Sequence, residues 1–257
     1  MKKLLLSLSL LLAAGAPLAQ AGDSQTLRIG VEGAYPPYSW LTPEGELAGF
    51  DIDIAQALCN EMQVTCKLVP QDWDGMIPAL VSRKFDAIVA SMSITDERKQ
   101  KVDFTDKYYQ IPSRFVARKN TNLTFTPEGL KGKKVGVQRA TTHDKYVTAN
   151  FPGAEILRYG AQDEAFLDLK SGRIDLVINN IPAIDSGLLK KEGGDAFAFV
   201  GPLISDREWF GEGVGIAIRK NSPQLRSDLN QAIQAIRAKG VYQKIQSKYF
   251  DFDIYGG

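Results

Sequence analysis

The sequence predicts an α/β protein of two similar lobes, each with a mainly parallel sheet and flanking helices. Residues 27–31 form a short apolar run typical of a buried strand, and Asp51 opens a stretch with apolar residues on one helical face. A second strand is expected at 64–69, a helix at 75–82 and a third strand at 86–90. Strands that alternate with helices favour parallel pairing with helices on the faces of the sheet.

A second copy of this pattern indicates the second lobe. Residues 28–31 (RIGV) are echoed by residues 134–137 (KVGV), and residues 80–89 (LVSRKFDAIV) by residues 169–178 (LKSGRIDLVI). In each copy a helix runs into a tight turn, and an Asp then starts a strand. We therefore expect two lobes of similar construction.

Polar residues follow the matching strand in each copy. They are Ser91 and Ser93 in the first and Asn179 and Asn180 in the second. Ligands of open parallel sheets bind at the carboxyl ends of the strands, so two facing lobes would bring these groups to one cleft. The alternative is an ordinary strand-end loop, because Ser and Asn are common in turns.

The first 21 residues are expected to be a secretory signal. Lys2 and Lys3 precede the apolar run 4–12, and small residues close the segment at Ala21. The run is shorter than the roughly 20 residues of a membrane span. Cleavage after Ala21 would leave Gly22 first, without a cysteine to lipidate, so we expect a protein free in the periplasm.

The size and charge of the mature chain exclude one class of partner. Removing 21 of 257 residues leaves 236, enough for two domains. Without Lys2 and Lys3 the 31 basic residues fall to 29, against 30 acidic ones. Neither a basic excess nor a basic stripe is present, so nucleic acid is not an expected partner.

The two cysteines, Cys59 and Cys66, are expected to form a disulfide, because thiols of exported proteins are oxidised. The alternative, a metal site, needs further close-spaced His or Cys ligands that the sequence lacks. We expect no metal and no cofactor.

Arg98 is the strongest candidate for ligand binding. Thr95 is a plausible helix N-cap, which puts Arg98 in the first turn of a helix after a polar strand end. A guanidinium there can clamp a carboxylate, whereas a cation in a first turn opposes the helix dipole. Thr142 and His143 mark a second helix start that would face it. The alternatives are a solvated Arg98 and a surface or capping His143.

Three further residues suit a cationic side chain. Tyr35 and Trp73 are aromatic residues in expected loops, where flat rings attract a guanidinium or ammonium group. Glu32 ends the first strand and could supply a counter-charge. Each could equally belong to the core or the surface.

Catalytic signatures are absent from the sequence, so we expect no enzyme. There is no G-x-S-x-G elbow, H-E-x-x-H pair or phosphate-binding loop. The glycine-rich residues 211–215 precede an expected strand at 216–218, whereas a nucleotide motif follows a strand and opens a helix. We interpret them as a crossing between lobes, where glycine permits unusual dihedral angles.

With these residues in place, the chain resembles the periplasmic polar-amino-acid binding proteins of ABC importers, bacterial solute-binding protein family 3. It is most similar to the lysine/arginine/ornithine and histidine receptors, from about Leu27 to the C-terminus. The motifs that carry the resemblance are residues 49–55 (GFDIDIA), the two cysteines, residues 93–95 (SIT) with Arg98, residues 103–105 (DFT) and residues 172–175 (GRID).

The resemblance implies a type II periplasmic-binding-protein fold. Residues 22–110 and 206–257 would form lobe 1 and residues 111–205 lobe 2, with two crossing strands as a hinge. It also implies an inner-membrane ABC permease as the partner and a monomer.

The resemblance also implies a joint geometry for the site. Arg98 and the backbone of Ser93 and Thr142 would hold the ligand carboxylate, while Ser91 and Ser93 lie near the α-ammonium. The side chain would lie between Tyr35 and Trp73 and end at Glu32. The expected ligand-binding residues are Glu32, Tyr35, Trp73, Ala90, Ser91, Ser93, Arg98, Gln138, Thr142, His143 and Asn180.

Two departures from the family leave the ligand open. Asn180 stands where the family usually has an Asp for the α-ammonium, and Arg139 where it commonly has an uncharged residue. Glu32 and Arg98 cancel, so a cationic amino acid would leave positive charge unmatched, more so if Arg139 reaches the cleft. An opine with an extra carboxylate is therefore an alternative. The competing interpretation is that Arg139 points to solvent and that the Asn180 carbonyl accepts from the ammonium together with Ser93. A dehydratase on the same scaffold is a third possibility, with Glu32 and His143 as its only acid–base candidates.

Overall fold

The structure, a computed structural model, describes residues 25–256, so the expected signal segment and its cleavage after Ala21 lie outside the described residues. The strands are β1 Thr26–Val31, β2 Ala34–Tyr35, β3 Ser39–Leu41, β4 Leu47–Ala48, β5 Thr65–Pro70, β6 Ala87–Ile88, β7 Val102–Tyr109, β8 Ser113–Arg118, β9 Lys134–Gln138, β10 Glu155–Tyr159, β11 Leu176–Asn180, β12 Phe197–Ile204 and β13 Val214–Arg219. The helices are α1 Phe50–Met62, α2 Met76–Val81, α3 Asp96–Lys99, α4 Thr142–Asn150, α5 Gln162–Ser171, α6 Ile181–Ile184, α7 Arg207–Phe210, α8 Pro223–Ala238 and α9 Val241–Gln246.

The strands form two large sheets with the same arrangement. The first has the order β5-β1-β6-β13-β7 and the second β10-β9-β11-β8-β12. In each, the first strand of the repeat pairs in parallel with both neighbours, and the fourth strand in this order, β13 or β8, is antiparallel to the strand on either side of it. We call the part around the first sheet lobe 1 and the part around the second lobe 2. The expected α/β fold with mainly parallel sheets is confirmed.

The chain passes between the two sheets twice. Residues 110–112 connect β7 to β8, and residues 205–213 connect β12 to β13. The second crossing contains α7 and ends in Gly211 and Gly213, at φ of 75° and 108°. A Cβ atom on Gly211 would lie 2.1 Å from the carbonyl oxygen of Ile94, so only glycine fits there. Of the glycine-rich run, Gly215 already belongs to β13.

The repeated motif has one physical explanation in both lobes. A Cβ atom on Gly30 would lie 2.6 Å from the ring of Phe85, and one on Gly136 would lie 2.4 Å from Ile174. Phe85 and Ile174 occupy matching places in the two copies, so each glycine makes room for the large residue after its tight turn. Each of the following acids, Asp86 and Asp175, donates its backbone N–H to a carbonyl at the start of the first strand, and its carboxylate accepts the backbone N–H of the same residue there.

The boundaries of several elements differ from the expected ones. The third strand of lobe 1, expected over 86–90, pairs as a strand only at β6, although Val89 still donates its backbone N–H to Gly30. The helix expected from Gly75 starts as a 3₁₀ turn at Trp73–Gly75 before α2. Residues 90–93 follow β6 outside the named strands, and Ser93 makes an isolated antiparallel bridge with Val214.

Cys59 and Cys66 form the expected disulfide, which joins the last turns of α1 to β5, with Cα atoms 5.7 Å apart. No helix between residues 25 and 256 combines the length and apolarity needed to cross a bilayer.

Replacement of Gly30 by Ala is expected to destabilise the protein by about 1–3 kcal/mol, because the new methyl group overlaps the Phe85 ring. Adding Phe85→Leu should recover part of the loss, so the two changes together cost less than their sum. Urea unfolding of the single and double variants measures this, and simple additivity would contradict the proposed packing.

Candidate ligand-binding cleft

A cavity between the two lobes gathers the polar strand ends of both sheets. About 370 Å³ of space there is free of protein atoms, part of it open to solvent. All eleven residues expected at the ligand line it, together with Thr141 and Asn179; they are Glu32, Tyr35, Trp73, Ala90, Ser91, Ser93, Arg98, Gln138, Thr142, His143 and Asn180. Their roles toward a ligand remain predictions.

A larger depression lies elsewhere on lobe 1, but its arginines are already paired with an acid. Its charged groups include Arg28, Asp86 and Arg219. Both arginines already pair with the Asp86 carboxylate, at 2.8 and 3.0 Å, and hold its pKa down at about 2 despite some burial. The inter-lobe cavity contains charged groups without such partners, so it is the better candidate site.

Arg98 is a buried cation without an acidic partner. Only 8% of the residue is exposed, and none of the ion pairs formed within residues 25–256 includes it. Its Nη1 donates to the Ser93 carbonyl at 3.0 Å, and its guanidinium lies 5.2 Å from the centre of the Trp73 ring. Burial lowers the pKa of Arg98 to about 10, which still leaves it charged at neutral pH. An anion in the cavity would supply the missing partner.

The local sequence holds Arg98 in this position. The hydroxyl of Thr95 accepts a hydrogen bond from the Arg98 backbone N–H at 3.3 Å, as expected for an N-cap. The helix that follows, α3, has only four residues. Its main contribution is to orient the guanidinium, since so short a helix has little dipole.

Two aromatic residues of lobe 1 bond directly to lobe 2. The hydroxyl of Tyr35 donates to Asn179 Oδ1, and Trp73 Nε1 donates to the carbonyl of Ala140 at 3.3 Å. Behind the cavity the Tyr35 ring stacks on Tyr38, with ring centres 5.2 Å apart. Both aromatic rings are therefore fixed when the lobes are closed.

Glu32 lies at the acidic part of the cavity. Its carboxylate accepts a hydrogen bond from Gln138 Nε2 at 2.5 Å, and the same amide group donates to the Gly160 carbonyl at 3.1 Å. Burial raises the pKa of Glu32 to about 7; the Gln138 bond opposes this, and the negative charge of Asp163 adds to it. A cation placed there would favour the ionised form.

Arg139 does not line the cavity. Its Nε bonds to the Asp74 carboxylate of the opposite lobe, and 48% of its side chain is exposed. Lys145 and Glu97 form a second ion pair between the lobes. The possibility that Arg139 adds positive charge to the cleft is therefore wrong, because Asp74, distant in sequence, neutralises it at the rim.

Asn180 and His143 meet at the hydroxyl of Ser113. Ser113 Oγ donates to Asn180 Oδ1 at 3.2 Å and lies 2.8 Å from His143 Nε2. Burial, and after it the charge of Arg98, lowers the pKa of His143 to about 3, so the ring is neutral at physiological pH. A neutral, hydrogen-bonded imidazole deep in the site does not suit general acid chemistry at neutral pH.

Asp51 is the most important residue that the sequence reasoning missed. It was expected only to open a helix, but its fully buried carboxylate accepts hydrogen bonds from Ser91 Oγ and Tyr108 OH, both at 2.8 Å. Ser91 has φ of 54°, a left-handed conformation that this bond helps to hold. Burial raises the pKa of Asp51 to about 7, opposed by these hydrogen bonds. The sequence next to Asp51 does not identify its partners Ser91 and Tyr108, which lie 40 and 57 residues away.

Two lobes that close on a buried, unpaired cation define a receptor for a small anionic or zwitterionic solute. The chain belongs to the bacterial extracellular solute-binding proteins, family 3, which it matches over residues 27–252. This confirms the resemblance and the type II fold expected from the sequence.

Similar proteins bind basic amino acids. The L-arginine-binding protein of Pseudomonas aeruginosa is 51% identical, over 100% of this chain and 99% of that protein. The histidine-binding periplasmic protein of Escherichia coli is 44% identical over the full length of both. A Salmonella typhimurium periplasmic binding protein with high arginine specificity superposes with a TM-score of 0.82, at 36% identity, over 88% of this chain and 100% of that one. All are described as binding proteins, in agreement with the expectation of no enzyme.

The stability of the protein is expected to depend on the titration of Asp51. Because its pKa is raised in the folded state, the folded protein holds a proton that the unfolded chain has lost between about pH 4 and 7. Stability should therefore fall as pH rises through this window, by up to about 1.4 kcal/mol per pH unit from this group.

Asp51→Asn should remove this part of the slope in urea unfolding measured from pH 4 to 8. Tyr108→Phe is the matched control, because it disturbs the same hydrogen bonds but keeps the carboxylate and so keeps the slope. Equal slopes for Asp51→Asn and the wild type would exclude the assigned titration.

Proposed function

We propose that this protein is the substrate-binding component of an ABC importer and captures a basic L-amino acid (arginine, ornithine, lysine or histidine) in the periplasm. The observation that carries the proposal is the unpaired guanidinium of Arg98 in a cavity that also contains Glu32. One buried cation and one buried acid complement the carboxylate and the cationic side chain of such a ligand.

The ligand would lie with its carboxylate on Arg98. Its α-ammonium would then fall near Ser93, whose carbonyl Arg98 contacts, and near Asn180, which lines the same cavity. The side chain would extend between Tyr35 and Trp73 toward Glu32, where a guanidinium or ammonium replaces the Gln138 amide as its partner.

Charge balance favours a free basic amino acid over an opine. Asp51 lies one hydrogen bond behind Ser91, and burial raises the pKa of both Asp51 and Glu32 to about 7. A bound cation favours their ionised forms, so the cleft region then holds two negative charges and one Arg, which match a ligand with one carboxylate and two cations, net +1. Arg139, which would have added to the excess positive charge that an opine offsets, is paired with Asp74 instead.

Binding would be read by the permease through closure of the lobes. We propose that residues 22–110 with 206–257 move against residues 111–205 about the two crossings. Contacts made only on closure include the Tyr35 bond to Asn179 and the rim pairs Arg139 with Asp74 and Lys145 with Glu97. A monomer released after removal of residues 1–21 suffices for this cycle.

Calorimetric titration with arginine, lysine, ornithine and histidine tests the ligand class. At least one should bind far more tightly than millimolar, and Arg98→Met should weaken it at least about 30-fold, since a truncated buried charge pair costs about 2–5 kcal/mol. Arg226→Met, at an exposed site on α8, is the control and should bind as the wild type does. Failure of all four ligands to bind more tightly than about millimolar, near −4 kcal/mol, would refute the proposal.

Proton release on binding tests the position of the ligand cation. Glu32 is mostly protonated at pH 6 in the free, closed cleft and must ionise to pair with a cation, so binding should release close to one proton at pH 6 and few at pH 8.5. Affinity for arginine should accordingly rise with pH up to about pH 7 and then level.

Calorimetry in buffers of different ionisation enthalpy counts these protons. Glu32→Gln should bind arginine more weakly and release fewer protons at pH 6. An unchanged proton count in this variant would remove Glu32 from the cationic end of the ligand.

A further inference from the structure

Ser113 occupies a buried position between two residues of the cleft. It is the first residue of β8, is 1% exposed and pairs in register with Asn180 on β11. Its hydroxyl contacts both the His143 ring and the Asn180 side chain. The proposed ligand contacts do not include Ser113, so its burial calls for another explanation.

The donors and acceptors of His143, Ser113 and Asn180 fix the direction of the hydrogen bonds among them. A serine hydroxyl has one hydrogen to donate, and Ser113 gives it to Asn180 Oδ1. The hydroxyl oxygen must then accept from His143, whose neutral ring carries a single N–H, on Nε2. The bonds therefore run in one direction, from His143 to Ser113 to Asn180.

This direction decides which end of the Asn180 amide is held. A carboxamide has one acceptor oxygen and one donor nitrogen, unlike a carboxylate, whose two oxygens are equivalent. Because Ser113 holds Oδ1 by one lone pair, the second lone pair stays available at the cavity that Asn180 lines. A reversed amide would present N–H groups to a ligand ammonium, and two donors repel each other.

We propose that Ser113 and His143 are positioning residues that keep the acceptor end of Asn180 available to the ligand α-ammonium. The inference rests on the proposed function and deepens it, because it explains how an amide serves where the ligand carries a positive charge. It also assigns selectivity: the fixed amide favours a free α-ammonium over a ligand that lacks one.

A double-mutant cycle tests the pair. In the otherwise wild-type protein, Ser113→Ala should weaken arginine binding about tenfold, because the Asn180 amide loses one hydrogen bond and is free to rotate. In the Asn180→Asp background the same change should cost about twofold or less, because either carboxylate oxygen accepts from the ammonium. His143→Leu should follow Ser113→Ala in both backgrounds.

The second arm uses 5-guanidinopentanoic acid, which is arginine without its α-amino group. Its Kd should be the same for the wild type and Ser113→Ala, which also shows that the variant is folded. Ser171→Ala, an exposed serine of the same lobe, should leave arginine binding unchanged.

The outcomes separate the two proposals. Wild-type protein that fails to bind arginine refutes the function itself. Normal arginine binding with equal losses in both backgrounds, or equal losses for arginine and its desamino analogue, overturns the positioning role and leaves the function intact.

Discussion

A guanidinium buried between two lobes must find a negative partner, and within residues 25–256 Arg98 has none. Taking an ion out of water costs several kcal/mol unless another charge and hydrogen bonds compensate. Ser93 supplies one hydrogen bond and Trp73 a ring face, which orient the cation without neutralising it. Arg98 thus carries a buried positive charge without a counter-charge, which an anion in the cavity would supply.

The remaining polar groups of the cleft are satisfied in ways that a ligand can replace. The Glu32 carboxylate accepts a hydrogen bond from the Gln138 amide rather than from a cation. The side-chain oxygen of Asn180 accepts one hydrogen bond from the Ser113 hydroxyl, which leaves its second lone pair for a ligand. The ion pairs between the lobes lie at the rim, where Arg139 and Lys145 bond to the opposite lobe in partial contact with water. Water screens exposed pairs of this kind, so they contribute little to the stability of this arrangement.

Much of this could be predicted from sequence because the signals are local. The alternation of strands and helices, the repeated Gly30 and Gly136 motifs and the polar strand ends all depend on residues close together in the chain. All eleven expected residues line one cavity. The carboxyl ends of parallel strands share one edge of each sheet, and these edges of the two sheets face each other. The predictions that failed concern residues whose partners are distant in sequence: Asp74 lies 65 residues from Arg139, and Ser91 lies 40 residues from Asp51. No sequence pattern predicts either pair.

The double crossing has a consequence for the order in which the protein assembles. Lobe 2 takes all its large-sheet strands from the continuous stretch 113–204, whereas β13 of lobe 1 comes from residues 214–219. That strand lies between β6 and β7, so β7 has no neighbour in its sheet until β13 arrives. During vectorial emergence of the chain, lobe 2 can close its sheet while lobe 1 stays open at its centre. Lobe 1, whose first residues are synthesised first, is therefore the lobe whose sheet is completed last.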